Sequence, residues 1–301
     1  MMKTLVVALG GNALLQRGEA LSVENQYRNI DKVASALARL AKDFRVAVVH
    51  GNGPQVGLLA LQNQAYKEVA AYPLDVLVAE SQGMIGYMLA QRMAQQPHMP
   101  PVTAVLTRML VDRHDPAFTF PEKFIGPVYS PEQQPALEAQ HGWLMKADGR
   151  YVRRVVASPA PLKIIDSEAI ELLLKHNHMV VCSGGGGVAM VEGKNGLEGV
   201  EAVIDKDLAA ALLAQQIDAD GLLILTDADA VYENWGTPQQ RAIRRATPDA
   251  LAPFAKSDGS MGPKVAAVSS FVRQHHKPAW IGALDQIEQI LAGEAGTCIA
   301  M

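Results

Sequence analysis

Three apolar runs in this chain end directly in glycine: VVALGGN at Val6–Asn12, VVHGNG at Val48–Gly53 and VVCSGGGG at Val180–Gly187. A strand that opens into glycine can turn sharply and aim its N–H groups at one point, and a helix beginning there adds partial positive charge. Tight strand-to-helix turns would account for any single cluster. Three at strand carboxyl ends, where open α/β sheets bind ligands, point to one anion cradle. For Gly184, Gly185 and Gly186 the expectation is close backbone approach to nucleotide phosphates, the glycines making room and donating N–H groups.

The rest of the chain fits such a sheet. Val23–Lys42 places Ile30, Val33, Ala34, Leu37, Leu40 and Ala41 on one helical face. Further helices are expected from Pro54 and at Leu77–Met93, Ser167–Lys175, Asp205–Gln216, Pro263–His275 and Asp285–Leu291. Strands are expected at Leu5–Leu9, Arg45–Val49, Val102–Leu106, Met179–Cys182, Gly221–Thr226, Pro278–Ile281 and Thr297–Ala300. This alternation predicts an open three-layer α/β/α sandwich around a mainly parallel sheet. From Arg113 to about Ala160 the texture changes to Pro, Asp, Glu and aromatics, and Ala147–Gly149 (ADG) reads as a hairpin turn. A protruding subdomain of short strands at 113–160 is expected there, because a plain loop of that length is uncommon.

With 49% hydrophobic and 19% charged residues, the 301-residue chain can build one large domain or two packed lobes. A net charge of −4 argues against nucleic-acid or membrane-surface partners, so any basic site must be local. Cys182 and Cys298 stand far apart in apolar runs and read as inert buried thiols. The first apolar run is too short for a signal peptide, and no segment is long enough to span a bilayer; a cytoplasmic protein is expected.

Four stretches carry chemistry. VIDKDLAAALLA sets Lys206 between Asp205 and Asp207 at a helix start, where an ammonium and a helix N-terminus both suit a transferring phosphoryl group. An N-cap aspartate with a solvated lysine is the plainer alternative. LILTDADAVY ends a strand with Asp227 and Asp229, fitted to nucleotide or Mg²⁺ contacts or simply to an Asx turn. SDGSMGPKVAAV puts Gly259 and Gly262 ahead of a helix with Lys264 in its first turn, a charge opposed to the macrodipole that a bound anion would relieve. EKFIGPVY places Lys123 in the inserted segment, able to reach over a cleft or to stay an ordinary surface lysine. There is no G-x-x-x-x-G-K-[ST] and no G-x-G-x-x-G, and the histidines form no metal set; His50 could line the cleft.

Taken together, ALGGNAL, HGNGPQVG, SQGMIGYML, EKFIGP, RRVVASP, the glycine run, EAVIDKD, LTDADAVY, GSMGPKV and AGT resemble the carbamate kinases of the amino-acid kinase superfamily. The order and spacing match over nearly the whole chain, and EKFIGP with SQGMIGY is the most specific part. The resemblance implies a homodimer and the reaction ATP + carbamate ⇌ ADP + carbamoyl phosphate, usually run toward ATP. It implies an N-terminal lobe at 1–218 holding carbamate or carbamoyl phosphate and a C-terminal lobe at 219–301 holding ATP or ADP with Mg²⁺.

Position by position, the resemblance assigns Gly10, Gly11, Asn12, Gly51, Asn52 and Gly53 to the substrate and the transferred phosphoryl group. Lys206 and Lys264 would neutralise the phosphates, Asp207 would orient the lysines, and Lys123 would descend onto the substrate. Asp227, Tyr232 and Met261 would lie along the nucleotide, with Mg²⁺ held mainly through its phosphates and Asp207 as the candidate protein contact. The family's acidic, aromatic lead into GSM-x-PK is replaced here by PFAKSDGSMGPK, which bears on nucleotide affinity. The alternatives are a kinase of another small carboxylate in the same superfamily and a non-catalytic nucleotide-binding regulator.

Overall fold

The structure, a computed structural model, describes residues 2–16, 18–255 and 261–301. Gly259 and the replaced stretch from Lys256 to Ser260 lie outside the described residues.

The chain begins with β1 (Lys3–Leu9), a 3₁₀ turn at Gly11–Ala13, α1 (Val23–Leu40), β2 (Phe44–His50), α2 (Gly53–Ala65) and α3 (Leu74–Ala94). Next come β3 (Val102–Ala104), β4 (Arg108–Val111), β5 (Lys123–Tyr129), α4 (Gln134–His141), β6 (Leu144–Asp148), β7 (Tyr151–Val156) and β8 (Pro161–Ile164). The middle holds α5 (Ser167–Lys175), β9 (Met179–Val181), β10 (Val188–Gly193), β11 (Gly196–Gly199), α6 (Lys206–Gln216) and β12 (Gly221–Thr226). The last part is β13 (Val231–Glu233), β14 (Arg241–Ile243), β15 (Arg245–Ala246), α7 (Ala252–Ala255), α8 (Met261–His275), β16 (Ala279–Ala283), α9 (Ile287–Ala292) and β17 (Thr297–Ile299).

Eight strands form the main sheet in the order β15-β17-β16-β12-β1-β2-β9-β3, parallel except where β17 runs against β16. Its central strands are buried on both faces, which is why they read as unbroken apolar runs. Alternate residues serve opposite layers. Val6, Ala8, Ala47, Val49, Leu222 and Ile224 pack with Ala210, Val268 and Phe271 of α6 and α8. Leu5, Val7, Leu9, Val46, Val48 and Leu223 pack with Ile30, Val33, Leu37, Ile85 and Leu89 of α1 and α3.

A second sheet, β11-β10-β4-β8, was not expected. The strand expected at Val102–Leu106 stops at Ala104, and the chain crosses through Val105–Thr107 into β4. The glycine run makes the matching crossing from β9 to β10, and β10 pairs in parallel with β4 through Val188 opposite Arg108.

The segment between β4 and β8 carries a three-stranded antiparallel sheet, β5-β7-β6. Its hairpin lies two residues beyond the expected ADG start: Asp148 still faces Tyr151 in the ladder, so the turn is Gly149–Arg150. The sheet packs on the body through Ile125 and Val156 against Val56, Ala60 and Val78, and it meets α2 at a bare backbone contact. A side chain at Gly57 of α2 would overlap the backbone of Gly126, which itself has φ +69°. Arg153 Nε donates to the Gly126 carbonyl at 2.8 Å. Beside that contact Trp143, Met145 and Val152 form a small core against Leu61. Among the described residues no helix is long and apolar enough to cross a membrane.

Candidate active site

The three glycine-bearing strand ends are neighbours, because β1, β2 and β9 are consecutive in the main sheet with β12 next to β1. Gly10 N–H donates to the Leu225 carbonyl at 2.8 Å, tying the end of β1 to β12. The Cδ and Cε of Lys206 run across Gly51, 3.3 and 3.7 Å from where a Cβ would stand, so this glycine makes room for a lysine stem. Gly53 opens α2 facing the Phe124 carbonyl of β5. Gly11 and Asn12 lie in the 3₁₀ turn after β1; the Asn12 side chain lies outside the described part.

All three sequence-predicted lysines meet at the start of α6. Asp205 caps the helix, its Oδ1 accepting from the N–H groups of Asp207 at 2.9 Å and Leu208 at 3.4 Å. Its other oxygen, Oδ2, accepts from Lys123 Nζ at 2.7 Å. Asp207 bridges the remaining two: Oδ1 takes Lys206 Nζ at 2.8 Å and Oδ2 takes Lys264 Nζ at 3.2 Å. The Asp207 side chain is 2% exposed and those of Lys206 and Lys264 are 11% and 8% exposed. The expected orienting role of Asp207 thus has a geometry. Each of its carboxylate oxygens accepts from one ammonium group.

Sharing one carboxylate splits the two lysines. Burial works against the charge on Lys206, but Asp207 and Asp205 outweigh it and raise its pKa. Burial, reinforced by the Lys206 charge, lowers the pKa of Lys264 despite Asp207. Burial pushes Asp205 up, yet Lys123 and Lys206 hold it well below the usual carboxylate range. Among the described residues three lysines thus meet two aspartates in a mostly buried setting. That is the condition under which an ammonium interacts strongly with phosphate oxygens.

The glycine run is packed tightly within the protein. Gly184, Gly185 and Gly186 are buried, and protein fills the space their side chains would need. A Cβ on Gly184 would meet the His50 ring at 2.5 Å, one on Gly185 would overlap the Asn52 amide, and one on Gly186 would lie 2.6 Å from the Ile204 carbonyl. Gly186 and Gly187 turn their N–H groups back onto Ser183 and Gly184. The bareness of the run is therefore required by the packing of the protein itself. Asn52 is likewise 2% exposed and donates Nδ2 to Ser81 Oγ at 2.8 Å.

His50 is buried too. Desolvation lowers its pKa to about 4 against a hydrogen bond between Nδ1 and the Gly51 carbonyl at 2.9 Å, so the ring is neutral and Nδ1 carries the proton. It lines a cavity of about 170 Å³ with Gln82, Cys182 and Gly184. Burial pushes the Cys182 thiol up to about 12, an inert group as expected, while Cys298 is only half-buried.

On the C-terminal side, Asp227 follows β12 and accepts from Thr226 Oγ1 at 2.9 Å. Tyr232 donates its hydroxyl to Asp229 at 2.6 Å, and Met261 opens α8 three positions before Lys264. A cavity of about 920 Å³ lies between α1 and the end of β16; Asp227 lines it, but none of the three lysines does. Among the described residues no group of three or more His, Cys, Asp or Glu is placed to hold a metal ion.

Several residues of the site carried no assignment from sequence. Asp205 was visible only as a cap, and Gly57 with Gly126 only as parts of quoted motifs. Ser81 and Gln82 were visible only within the SQGMIGY block, and Thr107 gave no signal.

The sequence profile of the amino acid kinase family matches residues 3–283. The chain is 75% identical over 300 residues to the carbamate kinase of Escherichia coli (strain K12), covering 100% of both chains. It is 50% identical over 300 residues to the carbamate kinase of Rhizobium meliloti (strain 1021), covering 98% of this chain and 93% of that one. The solved structure of carbamate kinase from Giardia lamblia bound to AMP-PNP superposes with a TM-score of 0.88 at 38% identity, over 99% of this chain and 98% of that one.

Proposed function

The chain belongs to the carbamate kinases of the amino acid kinase family, and from that premise we propose that it catalyses ATP + carbamate ⇌ ADP + carbamoyl phosphate at the lysine–aspartate cluster. The observation that carries this reading is the meeting of Lys123, Lys206 and Lys264 on Asp205 and Asp207, beside three adjacent glycine-bearing strand ends.

In the direction of ATP formation, a β-phosphate oxygen of ADP attacks the phosphorus of carbamoyl phosphate. The new P–O bond forms as the bond to the carbamate oxygen breaks, and carbamate leaves with that electron pair. The attacking oxygen is already an anion, so no general base is required, and the work is positioning and charge neutralisation. Lys206 and Lys264, fixed by Asp207, neutralise the oxygens of the transferring group. Lys123 stabilises the departing carbamate, and the backbone of Gly10, Gly11 and Gly51–Gly53 surrounds the small planar substrate.

Asp227, Asp229, Tyr232 and Met261 are assigned to the nucleotide. The AMP-PNP bound by the Giardia lamblia relative supports ATP and ADP as the nucleotide here. Mg²⁺, held through the nucleotide phosphates, would supply further neutralisation of their charge. The lobe boundary at 218–219, use in the direction of ATP formation and a homodimer belong to the same proposal.

The test is ATP formation from ADP and carbamoyl phosphate, followed through a coupled hexokinase reaction. Turnover is expected. No turnover with carbamoyl phosphate, together with phosphorylation of an amino-acid carboxylate by ATP, would replace this reading with the related-kinase alternative.

A further inference from the structure

Two chain crossings run side by side from the main sheet to the second sheet: Val105–Thr107 between β3 and β4, and the glycine run between β9 and β10. They are stitched together at both ends, by Val105 N–H to the Val181 carbonyl at 2.8 Å and by Val188 N–H to the Thr107 carbonyl at 2.9 Å. Between these stitches the Thr107 hydroxyl accepts the Ser183 N–H at 2.9 Å and donates to the Val105 carbonyl at 3.0 Å. Ser183 has φ +50°, a left-handed conformation unfavourable for a residue with a side chain, and it opens the glycine run.

Thr107 is in turn held by α3. Gln82 Oε1 accepts the Thr107 N–H at 2.9 Å, and Gln82 Nε2 donates to the Thr107 carbonyl at 3.1 Å, as a neighbouring strand would. The residue before it, Ser81, receives the Asn52 amide at 2.8 Å and passes its own proton to the Val78 carbonyl at 2.7 Å. Asn52 fills the space against Gly185. The contacts close a ring: Gln82 to Thr107, Thr107 to Ser183, the glycine run to Asn52, and Asn52 back to Ser81. Ser81, Gln82, Asn52, Thr107 and Ser183 are all buried.

We propose that Ser81, Gln82 and Thr107 are positioning residues for phosphoryl transfer, which set the distance between the Gly51–Gly53 loop and the glycine run. The inference rests on the reading of Gly51–Gly53 as the substrate loop. Two consecutive residues of one helix hold the two strand ends separately, Ser81 through Asn52 and Gln82 through Thr107. A rigid helix thereby fixes the gap across which the Lys206 stem lies on Gly51. Hydrogen bonds in so dry a ring are directional and costly to leave unmade, so losing one shifts the backbone it holds.

The experiment compares Thr107→Val, which keeps shape and removes the hydroxyl, with Thr107→Ser, which keeps the hydroxyl, and with Ser81→Ala, which opens only the Asn52 arm. The first readout is kcat per folded molecule for ATP formation. Thr107→Val and Ser81→Ala are expected to lose about tenfold or more in kcat with KM for ADP within about twofold, and Thr107→Ser to restore kcat. A purely structural role would lower the folded fraction and leave kcat per folded molecule unchanged, and that outcome overturns the proposal.

The second readout, amide hydrogen exchange, needs no substrate. Thr107→Val is expected to speed exchange in the peptides covering 51–57 and 183–190 and not elsewhere; unchanged exchange there overturns the proposal. Should Thr107→Val not fold, Ser81→Ala carries both readouts. Absence of carbamoyl-phosphate turnover in the unmutated protein sinks the proposed function alone, and hydrogen exchange then decides the positioning role.

Discussion

Lys123 and Asp205 stand 82 positions apart in sequence and meet at 2.7 Å, joining the inserted three-stranded sheet to the first residue of the α6 cap. The contact makes Asp205 serve two masters: one oxygen holds the helix N-terminus and the other holds the lysine. The helix start that presents Lys206 and Asp207 is therefore braced by the same sheet that delivers Lys123.

Beside the apolar packing of Ile125 and Val156 on α2 and α3, that sheet meets α2 at the bare contact of Gly57 with Gly126. Gly57→Ala is expected to push β5 away from α2 and carry Lys123 off Asp205. A displacement of about 1 Å at a reacting group costs on the order of a hundredfold in rate. Steady-state kinetics should show a fall in kcat approaching that of Lys123→Ala, with far-ultraviolet circular dichroism unchanged. A Gly57→Ala enzyme with normal kcat would show that the sheet is not set by this contact.

Lys206→Ala removes one ammonium of the cluster and leaves Asp207 to Lys264. By analogy with deleting one preorganised transition-state donor, kcat should fall by on the order of two to three decades. Lys206→Arg should not restore it, because the planar guanidinium does not match an ammonium packed along Gly51. Near-normal turnover in the alanine variant would remove Lys206 from the chemistry.

The alkaline side of the pH profile should belong to Lys264. Its pKa is lowered from the ordinary 10.5 by burial and by the Lys206 charge, so it is the lysine of the pair that loses its proton first as pH rises. Since kcat/KM reports groups of the free enzyme, its alkaline limb should fall below pH 10.5. Lys264→Arg, whatever its absolute rate, should move that limb upward, because a guanidinium stays charged. A limb that does not move assigns the titration elsewhere.

The parts of this site legible in sequence are those that violate a local rule. Lys264 in the first turn of a helix opposes the macrodipole, and the structure answers the conflict with Asp207, 57 positions away. Lys206 between two aspartates is conspicuous for the same reason. The central strands were legible because burial on both faces leaves an unbroken apolar run. The second sheet was not, since β4 is four residues long and its partner β10 lies far along the chain, so neither has a period to detect. The glycine run shows the boundary most clearly. Its sequence reveals that side chains are forbidden, but the groups that forbid them, His50, Asn52 and Ile204, are known only from the packing.

His50 gives a prediction on the acid side. Its pKa is lowered from 6.5 to about 4 by burial, so the neutral ring is favoured in the fold and protonation is favoured in the unfolded chain. Stability from this group is complete above pH 6.5 and is lost as the pH falls through about 4, a contribution of about 3 kcal/mol. Urea unfolding across that window should show a flatter pH dependence for His50→Gln than for the unmutated protein. An imidazole resonance of His50 titrating near 6.5 would contradict the buried neutral ring.

Gly185→Val separates the two reasons a glycine can be required. If the run were bare only to admit phosphate, the variant would fold normally and bind nucleotide poorly. Here Gly185 has φ +61° and its missing Cβ is replaced by the Asn52 amide. The left-handed conformation alone costs a residue with a side chain roughly 1–2 kcal/mol, more for a β-branched one, and the clash adds to it. The expected result is a lower melting temperature and a reduced soluble yield, with nucleotide affinity per folded molecule changing less than stability. A stable variant with selectively weakened ADP binding would restore direct phosphate contact as the reason for the run.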